Sequence, residues 1–271
     1  MSTVTASAPG APGTPIPVPE NHPSEAKRAP ANRAGKGMWI QPLIVLVILA
    51  GYLVWLATAD LSETERVTLA PSALWGSTLE HLELTLVSAV IVLVIGIPLG
   101  VLLTRRPLRR ASGVILTLAN AGQSAPAVGL IVLLAFWQGF TFKAAVIALV
   151  LYTILPILRN TMIGLDEVDP PLIEASRGMG MSGFATLWRV ELPLATPVIL
   201  SGVRTALVLL VGTAALAAFI GAGGLGVLIQ TGMRLFLPSV LVSGALLSSL
   251  LALLIDWVGR IIETFVRPKG L

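Results

Sequence analysis

Cysteine is absent from this 271-residue chain, and only 12% of its residues are Asp, Glu, Lys or Arg. Without thiols, disulfide frameworks, thiolate metal sites and cysteine nucleophiles are excluded. Only two histidines are present, His22 and His81, so we assign no metal site. A soluble domain carries about 25% charged residues, which cover its surface. The shortage of charge excludes a water-soluble enzyme and favours an integral membrane protein.

The first 37 residues differ in composition from the rest of the chain. They contain seven of the 19 prolines, lack apolar periodicity and end in a basic cluster, Lys27, Arg28, Arg33 and Lys36. Such a segment cannot bury enough apolar surface to offset the entropy lost on ordering. The sequence therefore predicts a disordered, Pro-rich tail over residues 1–37.

Apolar sequence, by contrast, is abundant: 55% of the residues are hydrophobic, and the mean hydropathy is +0.88. About 20 apolar residues in a helix cross the hydrocarbon core, and a helix satisfies its own backbone there. The charge-free runs do not alternate as barrel strands do. We therefore predict an all-α integral membrane protein with about six transmembrane helices, at 38–58, 82–104, 112–136, 143–163, 195–219 and 238–260. The outer loops, 59–81, 137–142 and 220–237, are too short for a soluble domain.

The basic residues indicate the orientation of these spans. Six spans place both termini on one side, and 15 of the 18 Lys and Arg residues fall on that side. This count places Arg159 and Arg204 at inner helix ends and leaves Arg66, Lys143 and Arg234 outside. The positive-inside rule predicts cytoplasmic N- and C-termini. The pI near 10 thus reflects topology and not nucleic-acid binding.

The first span, residues 38–58, has two interpretations. The sequence Ala57-Thr58-Ala59 resembles a signal-peptide cleavage site. However, the apolar region is longer than the usual 7–15 residues of a signal peptide and begins after a long tail. An uncleaved transmembrane helix is the favoured interpretation, and cleavage is the alternative.

The longest inner loop, residues 164–194, contains signals that begin and end helices. They predict one short helix from Asp169 to Gly178, and a second from Ser182 that Leu192-Pro193 breaks before span five. Without a partner, such a loop would be an interfacial amphipathic segment.

Several residues of this loop have a characteristic spacing: Glu174-Ala175-Ser176, three residues, Gly180, nine residues, then Val190-Glu191-Leu192-Pro193. It resembles the EAA loop of membrane permease subunits of ATP-binding-cassette (ABC) importers, which reads Glu-Ala-Ala, three residues, Gly, nine residues, then Ile-x-Leu-Pro. Here Ser replaces the second Ala and Val replaces Ile. Gly180 suits a turn that does not tolerate a side chain. The matching residues are Glu174, Ala175, Ser176, Gly180, Val190, Leu192 and Pro193.

The resemblance implies that this loop docks in a groove of a separate ATPase subunit. Glu174 would face basic or backbone donors there, although a solvated helix charge is the alternative. Ala175 and Ser176 would allow the partner to approach closely. Leu192 and Pro193 would join the loop to span five, so that movement of the loop tilts that helix.

The resemblance also implies a fold and a set of partners. It implies a type I ABC-importer permease domain over 75–265 in the bacterial plasma (inner) membrane. The expected partners are two ATPase subunits, a second permease that is identical or paralogous, an extracytoplasmic solute-binding protein and membrane lipid. The chain contains no Walker motif. We therefore expect no enzymatic activity and no cofactor in this chain, with ATP and Mg used by the ATPase.

A second resemblance narrows the solute. Three segments resemble permeases for osmoprotectants such as glycine betaine, choline and carnitine. They are GQSAPAVGLIVLL (122–134), LPILRNTMIGLDEVDPPLIEASRGMGMS (155–182) and AAFIGAGGLGVLI (217–229). Val227 stands where that group often has an acidic residue. A permease for methionine or another amino acid is the alternative, since those proteins share a similar Gly-rich segment.

Two polar or flexible segments are candidates for the pathway. Polar groups facing lipid are costly, so the polar residues of span three are expected to face the bundle interior, where Pro126 kinks the helix. Interhelical hydrogen bonding without solute contact is an equal alternative. The second segment formally matches G-x-G-x-x-G but lacks a βαβ unit, so we interpret it as an outer gate or flexible turn. The residues are Asn120, Gln123, Ser124 and Pro126 in the first, and Gly221, Gly223, Gly224 and Gly226 in the second.

Two further classes of function compete with an importer permease. A secondary transporter or channel would need ionisable groups within the membrane, and only Arg204 and Asp256, near inner ends, qualify. A purely structural membrane scaffold is the remaining alternative.

Overall fold

The computed structural model describes residues 38–266, and all regular structure within that range is helical. The predicted tail over 1–37 lies outside the described residues. The α-helices are α1 (Ile40–Thr58), α2 (Glu63–Thr68), α3 (Pro71–Thr104), α4 (Ser112–Ser124), α5 (Ala127–Gln138), α6 (Phe142–Asp166), α7 (Pro170–Gly178), α8 (Gly183–Thr186), α9 (Leu192–Ala214), α10 (Gly226–Arg234) and α11 (Pro238–Val266). Short 3-10 helices span Arg109–Ala111 and Ala215–Ile220, and a π-helical turn spans Leu187–Glu191.

Contacts between distant residues define an inner end of the bundle, the end that carries residues 164–194. Arg105, which follows α3, is paired there with Glu191 of the π-helical turn. Arg109, just before α4, lies 3.7 Å from Asp166, the last residue of α6. The end of α3, the start of α4 and the end of α6 therefore meet at the inner end.

The opposite, outer end gathers the remaining helix ends. The Ser239 hydroxyl at the start of α11 donates a hydrogen bond to Glu65 of α2. This bond, together with those from Ser62, holds the pKa of the Glu65 carboxyl below its usual value. Near the start of α3, Glu80 accepts a hydrogen bond from the Gly224 N–H, 2.9 Å away.

The chain crosses between these ends six times when α4 and α5 are counted together as one crossing. They must be counted so, because α3 and α6 both end at the inner end and the chain has to return to the outer end between them. The predicted number of spans is thus confirmed, but span three is not one kinked helix. Its halves meet at 100°. Ala125, before Pro126, has an extended backbone with ψ 147°, because proline disfavours a helical conformation in the preceding residue.

Helix α6 is the centre of the bundle and packs on α3, α9, α4 and α5. Glycines permit the closest approaches: a Cβ on Gly100 of α3 would lie 2.7 Å from Cβ of Thr161. A Cβ on Gly202 of α9 would lie 2.4 Å from Cβ of Asn160. Gly96 packs on Ile157 in the same way. The GxxxG pair of span two therefore serves helix packing.

The first span docks on the last one, near the inner end. The Gln41 side-chain amide donates to Asp256 (3.1 Å), and the Trp257 indole N–H donates to the Met38 carbonyl (2.9 Å). Asp256 also lies 3.5 Å from Arg204 of α9, and Arg204 lies 3.0 Å from Glu263. Helices α1, α9 and α11 are thus joined by charged and polar groups.

The structure corrects several predicted boundaries. Helix α3 begins at Pro71, 11 residues before the predicted start, because proline is well suited to the first turn. The outer loop 220–237 contains α10. Arg159 and Arg204 do not lie at helix ends: Arg159 precedes the end of α6 by seven residues, and Arg204 lies 12 residues after the start of α9.

Candidate functional site

The inner loop forms the first half of the candidate site, and α7 presents Glu174 and Ala175 on its exposed face. Ser176 differs from the expectation, since it is 1% exposed. Its hydroxyl donates to the Ile173 carbonyl (2.8 Å) and hydrogen-bonds the Thr186 hydroxyl (3.1 Å). The small side chain at position 176 therefore allows α7 and α8 to pack together, not an outside partner to approach.

The turn between α7 and α8 follows the predicted helix signals, with one exception. Gly180 has φ +85°, a conformation that side chains disfavour, and the Ser182 hydroxyl accepts a hydrogen bond from the Ala185 N–H at 3.2 Å. Asp169 occupies the N-cap position of α7, but its side chain makes no capping hydrogen bond. Its backbone and the following prolines begin the helix.

The predicted break at Leu192-Pro193 is wrong. Residues Gly183–Ile220 form one helical segment of 38 residues, in which the π-helical turn leads directly into α9. Pro193 is in the first turn of α9, where a missing N–H is tolerated, and the wider π-helical turn precedes it. The loop and the fifth span therefore form one continuous element, which strengthens the expected mechanical connection.

Sequence reasoning missed the buried acid of this loop. The Glu191 side chain is 3% exposed and accepts a hydrogen bond from Arg105, with 2.5 Å between the Oε2 and Nη2 atoms. The pair joins the π-helical turn to the end of α3. One signal was available in the sequence: Glu191 interrupts the apolar run around Val190 and Leu192, where an unpaired charge would be costly.

The loop also exposes large apolar side chains at the inner end. Met179, Phe184 and Trp188 are 73%, 72% and 59% exposed, and the ring centroids of Phe184 and Trp188 lie 6.1 Å apart. Together with Glu174 and Ala175, they form what we call the loop surface. An exposed apolar surface of this kind marks a site of interaction with a protein or a membrane.

The break in span three forms the second half of the candidate site. Asn120, Ser124 and Pro126 are exposed on the chain, and Gln123 is half-buried. Asn120, Ser124 and Pro126 therefore do not face the interior of the helix bundle of this chain, contrary to the prediction, whereas Gln123 faces it in part. Polar side chains on the surface of a membrane span require a polar neighbour or water. These residues are therefore candidates for a pathway wall that a second protein completes.

The glycine-rich outer loop lies against the start of α3. Gly221, Gly223 and Gly224 have φ of +73°, +83° and +82°, and Gly224 is buried. The Glu80 carboxylate accepts the Gly224 N–H, and the fully buried His81 ring lies beside it, with Nε2 3.0 Å from the Val211 carbonyl. The loop is thus fastened to α3, and sequence reasoning had assigned no role to Glu80 or His81.

Loss of the hydrogen bond between Glu80 and Gly224 is expected to loosen the outer loop. Replacing Glu80 with alanine removes the acceptor for the Gly224 N–H, a hydrogen bond worth about 1 kcal/mol, so the outer loop opens more often. We expect about fivefold faster labelling of a cysteine introduced at Ala222, since RT ln 5 is about 1 kcal/mol. The chain has no native cysteine that would interfere.

The isosteric variant Glu80→Gln is the matched control for that measurement, because its amide oxygen still accepts the hydrogen bond. Equal labelling rates for Glu80→Ala and Glu80→Gln would show that this contact does not hold the loop.

Among residues 38–266, no group of three or more His, Asp or Glu side chains is arranged to hold a metal ion.

A multi-pass helical bundle with an exposed inner loop and a closed outer loop is the architecture of a membrane transport protein. A family model described as "Binding-protein-dependent transport system inner membrane component" matches residues 96–268. The chain belongs to this family and is the transmembrane permease subunit of an ABC importer in the bacterial inner membrane.

Two curated relatives are similar over most of their lengths. The glycine betaine/carnitine/choline transport system permease protein OpuCB of Bacillus subtilis is 39% identical over 192 residues, 71% of this chain and 88% of the relative. The osmoprotectant import permease protein OsmW of Salmonella typhimurium is 39% identical over 199 residues, 72% of this chain and 92% of the relative.

A solved structure supports the same fold. A chain of the MetNI methionine ABC transporter in inward facing conformations superposes with a TM-score of 0.65 and 28% identity, covering 77% of this chain and 100% of that one.

Proposed function

We propose that this permease imports osmoprotectants of the quaternary-amine type, such as glycine betaine, choline and carnitine. The main support for this solute class is the 39% identity to OpuCB, a permease named for those three solutes, over 88% of its length. Methionine or another amino acid is the second candidate, supported by the likeness to the MetNI transporter at 28% identity. The higher identity favours the quaternary amines.

The proposal assigns ATP and Mg²⁺ to a separate ATPase subunit, present in two copies. A second permease, identical or paralogous, completes the pathway, and an extracytoplasmic binding protein delivers the solute. The inner end faces the cytoplasm, with both termini on that side. The basic residues 105, 106, 109 and 110, which lie between α3 and α4, support this orientation.

The loop surface is the proposed docking site for the ATPase. Glu174 and Ala175 are exposed on α7, and the apolar side chains of Met179, Phe184 and Trp188 extend the same inner surface. A force on Phe184 or Trp188 acts directly on the continuous segment that leads through the π-helical turn into α9, and the Ser176–Thr186 hydrogen bond links α7 to that segment. Closure of the ATPase subunits would therefore move the fifth span as a rigid body.

The proposed pathway lies along the broken third span. Asn120, Gln123 and Ser124 present polar atoms on or near the surface of this chain at membrane depth. A second permease facing them would enclose a polar passage away from lipid. At the outer end, the glycine-rich loop is fastened to α3 through the hydrogen bond from the Gly224 N–H to Glu80.

Uptake by the reconstituted importer tests the solute. The permease is co-purified with its ATPase, reconstituted in liposomes and supplied with the loaded binding protein and internal ATP. ATP-dependent accumulation of glycine betaine, choline or carnitine is the expected result. Accumulation of methionine in their absence would support the second candidate, and ATP-independent uptake driven by an ion gradient would overturn the assignment.

The charge-reversal variant Glu174→Lys tests whether the ATPase docks on the loop surface at this residue. We expect Glu174→Lys to lower uptake per ATP hydrolysed by about tenfold, because a repelled charge at a protein interface costs on the order of 1–2 kcal/mol. Glu63→Lys is the matched control, since Glu63 lies on a short helix at the outer end. Wild-type coupling in Glu174→Lys would remove this residue from the docking surface.

A further inference from the structure

Arg159 carries a charge in an unusual place. It lies on α6, about 10 Å from the inner end of that helix at a rise of 1.5 Å per residue. The adjacent Ile157 and Leu158 are each 1% exposed, whereas Arg159 is exposed on the surface of the chain. A charged side chain at membrane depth normally faces water, a partner or a passing solute, because lipid contact is costly.

The side chain of Arg159 points away from the inner membrane surface. Its Nη2 atom lies 3.5 Å from the Asn120 Oδ1 atom. Asn120 is 11 residues beyond Arg109, which marks the inner end, a distance of about 16 Å along the helix. Gly122, two residues further, packs near the carbonyl of Leu151 in the middle of α6. An arginine that reached for lipid headgroups would extend in the opposite direction.

No carboxylate neutralises Arg159 within the described range 38–266. By comparison, Arg204 of α9 lies 3.5 Å from Asp256 and 3.0 Å from Glu263. Among the residues that the structure describes, the hydrogen-bond partner of the Arg159 guanidinium is the neutral amide oxygen of Asn120, 3.5 Å away. A permanently charged guanidinium with donors to spare is suited to a carboxylate, which it can bind through two parallel hydrogen bonds.

We propose that Arg159 and Asn120 form a site in the translocation pathway that binds the carboxylate of a passing solute. The inference rests on the proposed function and narrows it: among quaternary amines, the site favours zwitterions such as glycine betaine and carnitine over choline, which has no carboxylate. The Asn120 oxygen orients the guanidinium, and Gln123 and Ser124 continue the polar surface along α4.

Uptake of two solutes by one variant tests this site. In the reconstituted importer with its loaded binding protein, Arg159→Gln lowers uptake of glycine betaine about tenfold or more, because a hydrogen bond to a charged group is lost. Choline uptake stays the same or rises, and Arg159→Lys keeps an intermediate rate for glycine betaine. The preference of the binding protein cancels when each variant is compared with wild type for the same solute.

Arg110→Gln is the matched control, since Arg110 is an exposed arginine between α3 and α4. An equal fall for both solutes in Arg159→Gln would indicate an ion pair with the second permease and would overturn the proposal. Unchanged uptake of both would indicate a lipid phosphate partner and would also overturn it. If the wild-type importer takes up methionine but neither glycine betaine nor choline, the proposed function is contradicted. The carboxylate site would then be tested by methionine uptake in the same variant, with the same tenfold loss expected.

Discussion

Arg105→Ala lowers the free energy of unfolding by about 3–5 kcal/mol, because it leaves the buried carboxylate of Glu191 without its partner. The Glu191 side chain is 3% exposed and that of Arg105 is 32% exposed, so the alanine variant leaves the carboxylate in a site that water reaches only from the Arg105 side. The same change separates the π-helical turn from α3. We therefore expect both a lower unfolding midpoint in detergent and less solute imported per ATP.

The two effects can be separated with a double variant. Arg105→Ala combined with Glu191→Leu removes the buried charge and fills its place, so most of the lost stability returns. Coupling stays low, because the link between α3 and the π-helical turn is still absent.

Arg106→Ala is the control for this pair. Arg106 is exposed and lies in no ion pair among the described residues, so its loss changes stability by about 0.5 kcal/mol or less. Equal unfolding midpoints for Arg105→Ala and Arg106→Ala would show that the buried pair contributes nothing.

Gly226→Ala is expected to abolish uptake and to cost roughly 3 kcal/mol of stability. A Cβ at this position would lie 1.8 Å from the Ala215 carbonyl oxygen, which is backbone and cannot rotate aside. Helix α10 would have to move off the 3-10 helix Ala215–Ile220, and the buried Leu225 and Leu228 would lose their packing. Uptake in liposomes and the unfolding midpoint measure the two effects.

Gly76→Ala is the matched control for Gly226→Ala, because a Cβ at Gly76 meets nothing within 4 Å. Alanine is favoured over glycine inside a helix, so this variant keeps or gains stability. Co-purification of the ATPase with Gly226→Ala should persist, since the inner loop is at the other end of the bundle. Wild-type uptake by Gly226→Ala would refute the close approach of α10.

The sequence predicted the helical spans well because lipid imposes a simple rule on composition. Charge-free runs of sufficient length become helices, and the six crossings follow from them. The short helices of the inner loop were also predictable, because Ser182 and Gly180 act on their immediate neighbours.

Features that depend on distant residues were not predictable. The Arg105–Glu191 pair joins residues 86 positions apart, so the apolar run around Glu191 indicates that the carboxylate needs a partner but not which residue supplies it. The burial of Ser176 depends on Thr186, and the fastening of Gly224 depends on Glu80. The prediction of a break at Leu192-Pro193 failed because proline is tolerated in a first helical turn that follows a π-helical turn.

The continuous segment Gly183–Ile220 has a consequence for the timing of transport. At 1.5 Å per residue its 38 residues measure about 57 Å, so a rotation of about 5° at one end displaces the other by about 5 Å. Its first point of backbone freedom at the outer end is Gly221, with φ +73°. A rigid segment of this length would transmit a displacement at Gly183 to the outer glycines at the same time, so movement at the inner loop and at the outer loop would be simultaneous.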